Sequence, residues 1–206
     1  RAADPQAPDA AGFAALAEAL EVRRKAAREE LRRALRAAPA RSLLLDLSAF
    51  AALRGWLRPE DHGQTGRLAR PARATAAKAL QKRWKKVRGA AEGLEALDVE
   101  ARHVLRKELK KLRYGVEFLA PAFAPEHVKP FRKDLKRLQD VFGSLNDVAT
   151  AEMMFGGEAP PCPDDGRAQR AAGRLLGELA RRAEDDWAQA RSGWEALIAQ
   201  RPFWKR

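Results

Sequence analysis

The sequence has little of what secreted, membrane-spanning and β-rich proteins need. Its single cysteine, Cys162, cannot form an internal disulfide, which favours a reducing compartment. No run approaches the roughly 18 apolar residues of a transmembrane helix, and residues 1–8 lack the apolar core of a signal peptide. Fourteen glycines and one tyrosine argue against a turn-rich β-sandwich. These absences predict a cytoplasmic protein with no membrane partner.

Positive charge, by contrast, is abundant. The 206 residues carry 40 Lys+Arg against 28 Asp+Glu, which gives a formal net charge of +12. A hydrophobic fraction of 46% still allows a core, and the length fits one large domain or two small ones. Because a strongly basic surface attracts polyanions, the charge predicts a polyanionic partner without saying which one.

The pattern of residues predicts an all-α fold. Ala, Leu, Arg, Lys, Glu and Gln dominate long stretches, and these are the strongest helix formers. Pro and Gly mark the breaks, and no β period is present. Long helices joined by short loops predict a helical bundle of long antiparallel helices. The predicted helices cover residues 10–36, 42–57, 72–89, 98–120, 126–155 and 167–200, with loops at 59–66 and 156–166.

Residues 103–119 separate apolar and basic side chains onto different sides of a helix. Apolar residues recur every three or four positions and predict a core face: Leu105, Leu109, Leu112, Val116 and Leu119. Another side carries His103, Arg106, Lys110, Arg113, Tyr114 and Glu117, and Lys107 and Lys111 widen it. Like charges four residues apart repel, so this arrangement favours a polyanion lying along the helix. The charge of a histidine changes near physiological pH, which would make its contribution pH-sensitive.

Two further helices repeat this design. In one, Arg132, Lys133, Lys136 and Arg137 lie beside an apolar stripe that runs from Phe131 to Leu145. In the other, residues 70–88 hold eight cations and no acid, and Lys78, Lys82 and Lys85 share a face opposite Leu80, Trp84 and Val87. Arg83 and Lys86 are two more of these cations. A basic helix is often only a solvated face, but three such helices in one chain favour a shared anionic ligand.

Two motifs in these helices resemble the hallmark of the CHAD family, the conserved histidine α-helical domains. The first is His103-x-x-Arg106-x-x-x-Lys110-Lys111-Leu112-Arg113-Tyr114-x-x-Glu117-Phe118. The second is Leu135-Lys136-Arg137-Leu138-Gln139-Asp140-x-x-Gly143-x-Leu145-Asn146-Asp147. The likeness covers most of the chain from about residue 13 and extends, less specifically, to Pro202-Phe203-Trp204.

The resemblance implies a function as well as a fold. CHAD domains are two helical bundles related by a pseudo-twofold around a basic channel. They bind inorganic polyphosphate without catalysis, associate with polyphosphate granules and often follow a triphosphate-tunnel (CYTH) domain. Phosphate or sulfate ions are expected to mimic the ligand, and no metal or cofactor is implied. The implied polyphosphate contacts are His103, Arg106, Lys107, Lys110, Arg113, Tyr114, Arg132, Lys133, Lys136, Arg137, Lys78, Lys82, Arg83 and Lys86.

The sequence departs from the family in its N-terminal half, where the family carries a first copy of the His-x-x-Arg helix. Here His62 lies in a Gly-rich stretch and His127 is followed by Val-Lys-Pro, so neither supplies that copy. We therefore expect one CHAD-like domain over residues 1–206 that lacks the first helices of the family. A second chain is an alternative source of the missing basic helices.

Catalysis finds little support in the sequence. No Gly-rich phosphate loop is present, and Asp140 and Asp147 are expected to pair with cations and cap helix ends rather than hold a metal. The alternative function is a basic helical module that binds nucleic acid or an acidic protein. Stacking aromatics are sparse on the basic faces, with Tyr114 the obvious candidate, so nucleic acid is expected only as a non-specific competitor.

Overall fold

A computed structural model describes residues 9–205 and, within them, only helices and loops. This confirms the all-α prediction. The α-helices are α1 Ala10–Arg36, α2 Ala38–Ala52, α3 His62–Leu68, α4 Ala72–Ala90, α5 Val99–Leu119, α6 Pro125–Gly156 and α7 Gly166–Ala199. Short 3-10 helices occupy Leu94–Ala96, Ala120–Ala122 and Phe203–Lys205.

The described residues form two compact units. The first unit comprises residues 9–70 and 160–172, and the second comprises residues 71–159 and 173–205. The second unit therefore holds all three basic helices that the sequence predicted. The prediction of a single domain over residues 1–206 stays a prediction.

Three boundaries in the first unit differ from the prediction. Residues 59–66 were predicted as a loop, yet α3 begins at His62, where the Asp61 carboxylate accepts a hydrogen bond from the Gln64 backbone N–H at 2.8 Å. The second helix was predicted over residues 42–57, but α2 ends at Ala52, before the positive φ (52°) of Arg54, and it begins at Ala38. Pro39 lies in its first turn, where a missing N–H breaks no helical hydrogen bond, so this proline starts a helix instead of separating two.

In the first unit, the segment 160–172 packs against α1. Gly12 is buried there, and a Cβ at this position would overlap the carbonyl oxygen of Arg167. The guanidinium of Arg23 also donates to the Pro160 carbonyl at 3.0 Å. The carboxylate of Asp165 caps the start of α7, and the hydrogen bonds it accepts from the backbone N–H groups of Arg167 and Ala168 hold its pKa below the ordinary value.

Helix α2 is apolar but has no buried residue. Such a composition is normally found in helices that other elements cover. The expectation that a second chain supplies the missing basic helices stays a prediction. The large exposed apolar side chains of α2 are Leu43, Leu44, Leu45, Leu47 and Phe50.

The second unit is built around α5, which packs against α4 on one side and α6 on the other. The apolar stripes predicted for the three helices meet in one core, which confirms those predictions. Full burial of each such side chain contributes about 1.5–3 kcal/mol. The buried stripe residues are Leu80, Trp84, Val87, Leu105, Leu109, Leu112, Val116, Phe131, Leu135, Leu138 and Phe142, while Leu119 and Leu145 are partly buried beside them.

Aromatic side chains close one end of this core. Trp84 lies 5.7 Å from Phe131, and Trp204 lies 5.1 Å from Phe131, both measured between ring centroids in edge-to-face geometry. The Trp204 indole N–H donates to Gln81 Oε1 at 3.0 Å, so its polar atom is satisfied. The 3-10 helix Phe203–Lys205 is thus fixed against α4 and α6.

Candidate anion-binding site

Part of the basic side of α5 lies opposite the core stripe of this helix. Its start is fixed by Asp98, whose carboxylate accepts a hydrogen bond from the Ala101 backbone N–H at 2.8 Å. At about 100° per residue, the buried stripe then places Lys107, Lys110 and Tyr114 on the outer surface, and all three are exposed. The amphipathic pattern of α5 therefore sets which charges face outward.

A groove between α4 and α5, with a volume of about 310 Å³, collects cations from both helices. Lys82, Arg83 and Lys86 line it from α4, and Lys111 and Gly115 line it from α5. A Cβ on Gly115 would lie 3.5 Å from the Leu80 side chain, so this position lies close against α4. We call this feature the α4–α5 groove; its other lining residues are Ala79, Leu80 and Leu119.

Lys111 was not among the residues predicted to bind the ligand. The sequence showed it only as a cation that widens the basic side, four residues after Lys107. The spacing of residues along a helix gives the direction of a side chain around the helix axis. It does not show which neighbouring helix that side chain faces. Packing of α5 against α4 brings Lys111 to the same groove as Lys86.

Few of the candidate cations have acidic partners. Lys111 Nζ lies 2.5 Å from Glu108 Oε1, and a guanidinium nitrogen of Arg113 lies 3.2 Å from Glu117 Oε1. The second oxygen of Glu108 is buried and accepts no hydrogen bond from any described residue. Within residues 9–205, no ion pair involves Lys78, Lys82, Arg83, Lys86, Arg106, Lys107, Lys110, Arg132, Lys133, Lys136 or Arg137.

Tyr114 lies among these cations on the outer surface. The Arg113 guanidinium carbon is 5.0 Å from the ring centroid of Tyr114, and Lys110 Nζ is 5.7 Å from it. These are cation–π contacts, which hold the two cations near the ring. The ring therefore contributes to placing the charges on α5.

His103 and Arg106 line a different cavity, on the side of α5 that faces α6. His103 Nδ1 lies 3.0 Å from the side-chain oxygen of Asn146 on α6. This hydrogen bond links the two family motifs, which are 43 residues apart in the sequence. The cavity has a volume of about 570 Å³ and is called the α5–α6 cavity below.

The predicted cations of α6 do not share one surface. Because Asn146 faces α5, helical spacing places Arg132 and Lys136 on the same flank of α6 as Asn146. Arg137 instead lines a small cavity beside α7, together with Asp134 and Gln189.

The remaining predicted contacts lie apart from the two larger cavities. Lys133 is exposed on the outer side of α6, and Lys78 is exposed on α4 without lining the α4–α5 groove. The structure thus brings together Lys82, Arg83 and Lys86 and separates them from His103, Arg106 and Arg137.

The predicted roles of two acids on α6 are not what the structure shows. Asp140 and Asp147 were expected to pair with cations and cap helix ends, but α6 continues to Gly156, so both lie inside it. Both are exposed, and neither forms an ion pair with a described residue.

Among residues 9–205, no group of three or more His, Cys, Asp or Glu side chains is arranged to hold a metal. No helix in that range is both long and apolar enough to span a membrane.

Fold and site together define an all-α protein whose three basic helices, α4, α5 and α6, pack around one core. The family model of the CHAD domain matches residues 1–156. Because this match covers well over half of the 206 residues, the chain belongs to the CHAD family. No curated protein and no solved structure matches the chain. The match ends at residue 156, so the likeness suggested at Pro202-Phe203-Trp204 stays a prediction.

Proposed function

We propose that the protein binds inorganic polyphosphate, without catalysis, along the basic side of α4, α5 and α6. The observation that carries the proposal is the α4–α5 groove, where four cations from two helices line one surface. Only Lys111 among them has a carboxylate partner within residues 9–205. Every other residue that lines the groove is apolar or glycine, so the groove offers donors and positive charge.

The chemistry of the groove fits a phosphate polymer. Polyphosphate carries about one negative charge per phosphate, and pairing with Lys and Arg releases its condensed counterions. The planar guanidinium of Arg83 can bridge two phosphate oxygens, whereas Lys82 and Lys86 act as mobile point charges. Such a lining tolerates a flexible ligand in several registers. Placement of the protein at polyphosphate granules in the cytoplasm follows from this proposal.

Nucleic acid or an acidic protein is the alternative ligand, and the surface favours it less. Single-strand binders stack successive bases on aromatic rings. Tyr114 is half exposed, but Lys110 and Arg113 already lie against its ring. The α4–α5 groove itself has no aromatic lining residue.

A competition experiment tests the proposal. A fluorescently labelled single-stranded DNA is bound to the protein at about 150 mM salt, where non-specific binding is already weakened. Long-chain polyphosphate is then added at matched total charge against unlabelled DNA as competitor. We expect polyphosphate to displace the label at a lower charge concentration than DNA does. If polyphosphate fails to displace the label, or competes no better than DNA, the proposal is wrong.

A further inference from the structure

The first unit exposes an apolar surface along α2. Four large side chains of this helix recur three or four positions apart, so they lie on one side of it. Each is 51–65% exposed. The ring of Trp56 extends this side, because its centroid lies 5.8 Å from that of Phe50. We call this feature the α2 surface; its residues are Leu43, Leu44, Leu47, Phe50 and Trp56.

The aromatic end of the α2 surface is held in place by the turn that follows the helix. A Cβ at Gly55 would overlap the ring of Phe50, so this ring lies directly on the backbone of the turn. The side chain of Gln64 donates to the Trp56 carbonyl at 2.8 Å and accepts from the Arg58 backbone N–H at 2.6 Å. A surface that is ordered before binding loses less conformational entropy when a partner covers it.

The size of the exposed apolar surface matches one side of a protein–protein interface. Half of a large side chain presents on the order of 100 Å², so the α2 surface presents on the order of 500 Å². Four more exposed leucines flank it, two on the last turns of α1 and two after α2, and they bring the area close to the roughly 800 Å² that each partner contributes to a standard interface. These four are Leu31, Leu35, Leu53 and Leu57.

The charges of α2 indicate what kind of partner fits. Its charged residues are Arg41 and Asp46, so the helix has no net charge. A helix that lies on an anionic lipid surface carries Lys and Arg on its polar face, and an acidic protein would also require an excess of cations. A neutral apolar surface can instead pack against an identical one without burying an unpaired charge.

From these observations we infer that the α2 surface is the interface of a homodimer. The α2 surface of one copy packs against the α2 surface of a second copy around a twofold axis, so both copies contribute the same residues. The interface belongs to the first unit, whereas the α4–α5 groove and the α5–α6 cavity belong to the second. The inference therefore does not rest on polyphosphate binding.

Sedimentation velocity of the full chain, without polyphosphate, tests the inference. Interfaces of standard size have micromolar or tighter affinity, so we expect a mass of twice the 22.8 kDa of one chain at concentrations above about 10 μM. A twofold interface is closed, so no larger species should form. A chain that stays monomeric at about 100 μM, well above that affinity range, would overturn the inference. So would a mass that continues to rise beyond two chains.

A matched pair of variants locates the interface. Leu47→Glu places a carboxylate on the α2 surface of both copies and should weaken dimerisation at least about 100-fold. Leu45→Glu makes the same change on the same helix, but at 100° per residue Leu45 lies about 160° around the axis from Leu47. Both leucines are more than half exposed, so circular dichroism should show unchanged helical content. Equal weakening by the two variants contradicts the inference.

Vesicles of phosphatidylcholine and phosphatidylserine provide the last control. The basic helices can attract the protein to such vesicles, so the informative comparison is between the unmodified chain and Leu47→Glu in a flotation assay. We expect the two to float to the same extent, because the α2 surface binds a second copy and not lipid. If only the unmodified chain floats, the α2 surface binds lipid and the inference is wrong.

Discussion

Replacing two groove cations should reduce the salt dependence of polyphosphate binding by a predictable amount. Lys86 and Lys111 line the α4–α5 groove from opposite helices. For a single-stranded polyanion each neutralised phosphate contributes about 0.7 to the slope of log K against log salt, so four groove cations contribute about −2.8. The double variant Lys86→Gln with Lys111→Gln should therefore make the slope shallower by about 1.4.

The two single variants should differ in affinity although each removes one charge. Glu108 lies 2.5 Å from Lys111 Nζ, and its side chain is only 15% exposed. Lys111→Gln leaves that carboxylate without its cation beside the groove, where it repels the ligand. Lys86→Gln creates no such repulsion, because Lys86 has no acidic partner among the described residues. We expect Lys111→Gln to weaken binding more than Lys86→Gln does.

The assay is a titration of labelled long-chain polyphosphate, followed by fluorescence anisotropy, at five salt concentrations between about 50 and 300 mM. The matched control is Lys85→Gln with Arg88→Gln, which removes two exposed cations of α4 that do not line the groove. The helical content of every variant is compared by circular dichroism. An unchanged slope in the groove variant, or an equal change in the control, would refute the assignment of the groove.

Three further substitutions probe the fold. Leu109→Ala empties a fully buried position of the α5 stripe and should lower the free energy of unfolding by about 2–5 kcal/mol; a loss below 1 kcal/mol in denaturant titration would argue against this core. Asp98→Ala removes the cap that accepts from the Ala101 N–H and should cost about 1 kcal/mol in the same titration, whereas Asp98→Asn should retain most of it. Gly12→Ala places a methyl group against the Arg167 carbonyl and should destabilise the first unit by about 1–3 kcal/mol, which faster proteolysis of residues 9–70 would report.

The basic helices were predictable because their apolar spacing is regular. In α5 the buried residues recur every three or four positions, so the pattern located both the core face and the outward charges. Pro39 and α3 were interpreted wrongly for local reasons. A proline can end one helix or begin the next, and the sequence does not distinguish the two. The Gly-rich composition of residues 59–66 predicted a loop there, although Asp61 caps a helix.

The candidate site was less predictable than the helices that form it. Helical spacing identified the cations but could not show that Arg137 faces α7 or that Lys111 faces α4, because those relations depend on packing between helices. The same limit applies to His103 and Asn146. Both residues belong to the two motifs identified in the sequence. Only the packing of α5 on α6 shows that they form a hydrogen bond with each other.

The aromatic closure of the second unit has a consequence for synthesis. The ring centroid of Phe203 lies 5.0 Å from that of Phe123, and Trp204 lies 6.3 Å from Trp84. These partners are separated by about 80 to 120 residues, so α4 and α6 complete their core only after residues 203 and 204 have left the ribosome. Until then, on the nascent chain, the indole of Trp84 lacks its contact with Trp204, and the ring of Phe131 lacks its contacts with Phe203 and Trp204. We therefore expect this unit to be most exposed to aggregation while the last helix and the turn after it are being translated.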